Sequence, residues 1–239
     1  DSMLRPFLFR QRALIGAGIA FVVVLLLWNI PQLDFLLYPV RLFVTFVHES
    51  GHGLAAIITG GHFERLDIFT NGSGVALTAG GSRLLILPGG YIGAALFGAV
   101  LFYAANTIPH SRFISALLGA AIIVVTVLFT GLLTTAFFVG LAMGGILIVL
   151  GTRANDDINL ILLNVLAMLT GLNAVLDLIF LVGNTNASIG SVRNDAAQFS
   201  AEFAPLIPAA FWAALWALIA VSLLAMAVWF SVIRPRRVL

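Results

Sequence analysis

The chain has no cysteine. Disulfides, thiolate metal ligands and cysteine nucleophiles are therefore excluded, leaving His, Asp and Glu as the strong metal ligands. Lysine is absent too, and all twelve basic residues are arginine. Charge of either sign is scarce, at 9% of residues against about 25% in a soluble domain. That scarcity, with 61% hydrophobic residues among 239, implies an integral membrane protein. The mean hydropathy of +1.11 agrees. Arginines in short loops and at the two ends suit membrane topology better than nucleic-acid binding, so the lipid bilayer is the expected surroundings and no nucleic-acid partner is expected.

What is present is a series of apolar runs. At ~20 residues per span, seven candidates emerge: 13–30, 33–60, 84–105, 113–130, 132–151, 158–182 and 205–233. The fold expected is an all-α polytopic membrane protein of about seven transmembrane helices, a single integral domain over 1–239. The first run is long enough to span and has no small-residue cleavage site after it, so it is read as a retained helix. Stretch 113–151 is too long for one helix and offers Thr130-Gly131 and Thr134-Thr135 as a turn. Arg5, Arg10 and Arg12 before the first span set an expected orientation with the N-terminus in the cytoplasm of a bacterial plasma membrane. Arg234, Arg236 and Arg237 pull the other way.

Two polar stretches interrupt the runs. In 61–83, β-prone segments 63–70 and 74–79 flank Asn71-Gly72, a short-range hairpin signal. The open edge of such a hairpin can pair with an extended peptide. The other stretch, 184–204, reads as a solvated connector, with a lid or partner surface as the alternative.

The polar heart of the chain is Phe46-Val47-His48-Glu49-Ser50-Gly51-His52-Gly53-Leu54. On a helix, His48 and His52 lie one turn apart on one face, about 6 Å along the axis. Two imidazoles so placed supply two of the three protein ligands of a catalytic zinc, and Glu49 can take a proton from its water. Histidines and a glutamate at membrane depth are costly, which favours a functional role for them. Of the ten acidic residues, only Glu49 and Asp177 lie well inside apolar runs. Asp177 is thus the expected third ligand, for one zinc ion per chain. Asn173 precedes it by one turn and is a candidate to hydrogen-bond an oxyanion or orient a ligand. His62 and His110 fall in loops, outside the site.

With those residues in view, the chain resembles the site-2 protease group of intramembrane zinc metalloproteases, most closely its shorter peptidase M50B-like branch. The resemblance spans about 41–181. His48-Glu49-Ser50-Gly51-His52 matches the zinc motif, and the resemblance implies His48 and His52 as ligands and Glu49 as general base. Pro88-Gly89-Gly90-Tyr91-Ile92-Gly93 falls where the family has a glycine-rich turn after the hairpin. Asn173 to Asp177 falls where the family has an Asn and then its ligand Asp, although Leu178 stands here in place of a glycine. The implied activity is hydrolysis of peptide bonds within transmembrane segments of protein substrates, releasing soluble fragments. Two other readings stand beside it: a noncatalytic binding or chaperone-like membrane protein on the same scaffold, and a metal transporter. The scarcity of further polar residues on the fourth and fifth spans disfavours a transporter. Substrate and oligomeric state are not legible.

Overall fold

Apolar runs in lipid have no water to bond their amides, so they satisfy them internally as helices. The structure, a computed structural model, describes residues 4–184, 188–189 and 192–233. In chain order it forms α1 (Leu4–Asn29), α2 (Asp34–Ile58), strands β1 (His62–Ile68) and β2 (Gly74–Ala79), then α3 (Arg83–Thr107), α4 (Ser111–Phe129), α5 (Thr135–Arg153) and α6 (Asp156–Gly183). A two-residue pair, β3 (Ser188–Ile189) and β4 (Val192–Arg193), precedes α7 (Asp195–Phe203) and α8 (Ala209–Val228). The protein is an all-α polytopic membrane protein with a small antiparallel hairpin after the metal-motif helix.

Five helices among the described residues are long and apolar enough to cross a membrane: α3, α4, α5, α6, and α8 with its π-helical continuation to Ile233. In α1 the apolar part is shorter, Gln11–Leu27. Arg41, His48, Glu49 and His52 interrupt the hydropathy of α2, although its 25 residues are enough for a span. About seven spans is therefore an approximate figure. The segment 184–204, read from sequence as a connector, contains the nine-residue helix α7.

Packing follows from small residues, because lipid removes the hydrophobic drive that joins helices in water. Gly98 on α3 lies so close to α6 that an added Cβ would stand 2.7 Å from Ala167 O and 2.8 Å from Gly171 N. On the other side of α3, a Cβ at Gly51 of α2 would overlap Gly89 O. Gly119 and Gly144 play the same part between α4 and α5. α3 is thereby held between α2 and α6. Large apolar side chains such as Phe113, Leu128 and Leu218 point outward.

The hairpin turns where Asn71 Oδ1 accepts from Ser73 N at 3.0 Å and Gly72 adopts φ +90°, a region open to glycine without strain. Two bonds tie that turn to α2: Thr45 Oγ1 donates to Gly72 O (2.7 Å) and Tyr38 OH to Thr70 O (2.8 Å). β1 has its outer side against the α4–α5 turn, bridging Thr130 at Leu66. β2 is left facing the metal motif.

Candidate metal centre

The histidines reach the centre because α2 is helical through the motif, and Gly90 of α3 lets them stand there. A Cβ on Gly90 would overlap both imidazole Nε2 atoms. His52 Nδ1 lies 2.7 Å from Ile86 O. A carbonyl only accepts, so Nδ1 carries the proton and the Nε2 lone pair is free for a metal. The two Nε2 atoms are 3.1 Å apart.

The third corner comes from α7. Asp195 Oδ2 lies 3.4 Å from His48 Nε2 and 3.3 Å from His52 Nε2. A tetrahedral zinc with bonds of about 2.0–2.1 Å sets its ligand atoms about 3.3 Å apart, so the triangle has the edges that such an ion requires. Burial by itself would push the Asp195 carboxyl up. The adjacent His52 and His48 outweigh it and hold the group below the usual carboxylate range.

Several contacts fix α7 over the site. Asn194 caps the helix by accepting from Ala197 N at 2.9 Å, which sets Asp195 at the first helical position, where the macrodipole favours an anion. Phe199 packs between Trp212 and Trp216 of α8, with ring centroids 4.7 and 5.4 Å away. Arg83 Nε at the start of α3 donates to Glu202 at 2.7 Å.

Glu49 is 6% exposed, set between the histidines and the hairpin. The backbone amide of Ala76 on β2 lies against its carboxylate. Gly74 permits this approach, since a Cβ there would stand 2.8 Å from Glu49 Oε1. Around these groups opens a cavity of about 420 Å³, lined by His48, Glu49, His52, the β2 residues Gly74, Val75, Ala76 and Thr78, and Tyr91, Asp177 and Asp195 among others. The expected β-hairpin thus borders the metal motif along its β2 side.

The expected site residues separate into two groups. His48, Glu49 and His52 come together. Asp177 on α6 lines the same cavity, within electrostatic reach of His48, but its carboxylate is outside the set of ligand atoms that lie within 4.8 Å of one another; that set is His48, His52 and Asp195. Asn173 does not line the cavity. Asp195 escaped the reading of the sequence because it sits in a polar stretch where solvated carboxylates are ordinary. The available signal was Asn194 as a helix cap followed by Ala196 and Phe199 three apart, a short amphipathic helix that presents Asp195 at its start.

These features define a polytopic helical membrane protein with a two-histidine, one-carboxylate centre beside a buried glutamate. The chain belongs to the Peptidase M50B-like family, whose model matches residues 17–227. No curated protein and no solved structure gives a significant match.

Proposed function

We propose that the protein is an intramembrane zinc metalloendopeptidase that cleaves transmembrane segments of protein substrates. The observation that supports this best is the triangle of His48 Nε2, His52 Nε2 and Asp195 Oδ2, with edges of 3.1, 3.3 and 3.4 Å, beside the buried Glu49. Membership of a peptidase family supports the same reading.

His48, His52 and Asp195 would hold the metal, and Asp177 is the alternative third carboxylate, facing the same cavity. A zinc ion bound there supplies Lewis acidity and lowers the pKa of its water. Glu49 accepts the proton of the attacking water and returns it to the leaving amine. The β2 backbone at Gly74 and Ala76 lies against the carboxylate. Asn173, off the cavity, is left without a direct part in bond cleavage. The substrate helix must unwind before its amides are free, and the β2 edge gives the extended backbone a pairing surface along residues 74–78.

Zinc per chain and cleavage of single-span reporter proteins test this together. Wild type should carry about one zinc, His52→Ala should lose it, and Glu49→Gln should keep it while cleavage falls about 10²–10⁴-fold. Of the two carboxylates, Asp195→Ala should lose the metal and Asp177→Ala should retain it; the reverse pattern assigns the ligand to Asp177. A zinc-free wild type, or full cleavage by Glu49→Gln, overturns the proposal.

A further inference from the structure

Attack on a peptide carbonyl moves the C=O π pair onto oxygen, and that oxygen then needs a donor in a site with little water. We propose that Tyr91 is this donor, its phenol O–H directed to the scissile carbonyl oxygen as negative charge gathers there; the proposal rests on the peptidase reading above.

Four observations converge on Tyr91. It follows Gly90, whose backbone abuts both imidazole Nε2 atoms, so its side chain leaves α3 beside the metal cradle. Its ring stands edge-on to His48, with centroids 4.5 Å apart at 75°. It lines the cavity and lies within electrostatic reach of Asp195, Asp177 and Glu49. Yet its hydroxyl makes no hydrogen bond among the described residues. A phenol that lines the cavity beside His48 with its O–H unengaged is a donor held for something else.

The other polar groups at the cavity fit this role less well. Arg83 is engaged by Glu202. Asn194 caps α7. The hydroxyl is also not a default filling of an aromatic position in this chain, which has 19 Phe and three Tyr; Tyr38 uses its own hydroxyl to tie down the hairpin.

The step balances without net transfer at Tyr91. Water oxygen bonds to the carbonyl carbon, its proton passes to Glu49, and the π pair rests on the oxygen that Tyr91 faces. On collapse the C=O re-forms, the C–N bond breaks and the amine nitrogen takes the proton from Glu49. Tyr91 keeps its proton throughout, and its hydrogen bond is strongest while the oxygen is anionic.

Tyr91→Phe removes the O–H and leaves the ring against His48. The probe is a phosphinic pseudopeptide with leucine side chains on both sides of phosphorus, whose anionic oxygen reproduces the tetrahedral carbon's charge. Zinc per chain should equal wild type, and phosphinate affinity should fall about 10²–10³-fold, the range for loss of one oxyanion donor. On a cleaved reporter, kcat should fall by a similar factor with KM nearly unchanged. Equal phosphinate affinity in wild type and Tyr91→Phe overturns the role of Tyr91 alone. Loss of zinc in Tyr91→Phe also overturns it, since the ring and hydroxyl would then serve the cradle. A wild type with no zinc overturns the peptidase reading, and this proposal with it.

Discussion

Gly90→Ala is the sharpest test of the metal cradle. The added methyl would point at both histidine Nε2 atoms, 2.5 Å from that of His48. Ordinary contact begins at 3.4 Å, so about 0.9 Å must be found by moving α3 or turning the imidazoles. α3 has little room to move, being held against α2 at Gly51 and against α6 at Gly98. Turning an imidazole off its rotamer costs about 0.5–1.5 kcal/mol, and overpacking a fitted site costs about 1–3 kcal/mol. Two displaced imidazoles, or one with some overpacking, come to about 2–3 kcal/mol, which is about 30- to 150-fold in zinc affinity. The assay is competition with a chelator of known affinity on detergent-solubilised protein, with zinc counted per chain. Gly18→Ala is the control, because nothing lies within 4 Å of its added Cβ. Zinc affinity within twofold of wild type in Gly90→Ala would refute the assignment of this space to a metal.

Other expectations follow from the same geometry. Arg83→Gln removes the guanidinium that holds Glu202 of α7; Arg83 is half exposed, so the pair is worth about 0.2–1 kcal/mol after screening. Hydrogen exchange should quicken in Asp195–Phe203, while zinc affinity drops by no more than about fivefold; a much larger loss would mean that Arg83 supports the metal directly. Acid should strip the metal, because the imidazoles must be unprotonated to bind it. Zinc per chain should therefore fall as the pH is lowered, and zinc fully retained in acid would argue against two histidine ligands.

Much of this protein was legible in order along the chain. Hydropathy required helices, since apolar runs in lipid have no other way to satisfy their amides. Asn71-Gly72 announced the hairpin because the turn needs a residue tolerant of positive φ, and Gly72 has φ +90°. His48, Glu49 and His52 were readable because a single helical turn relates them, a relation that spacing carries. The glycine-rich stretch around Gly89 and Gly90 was visible as a pattern, but not what it served, namely close approach of α3 to the imidazoles.

Asp195 belongs to what tertiary structure alone decides. It is 143 residues from His52, and its carboxylate reaches the histidines only because Asn194 caps α7, Phe199 docks on Trp212 and Trp216, and Arg83 holds Glu202. Asp177 carried the stronger sequence signal, a carboxylate inside an apolar run, whereas Asp195 lay in a polar stretch where charge is unremarked. Local spacing specifies which groups share a turn of helix. Which distant carboxylate completes the triangle is set by the packing of several elements at once, and no single segment encodes that.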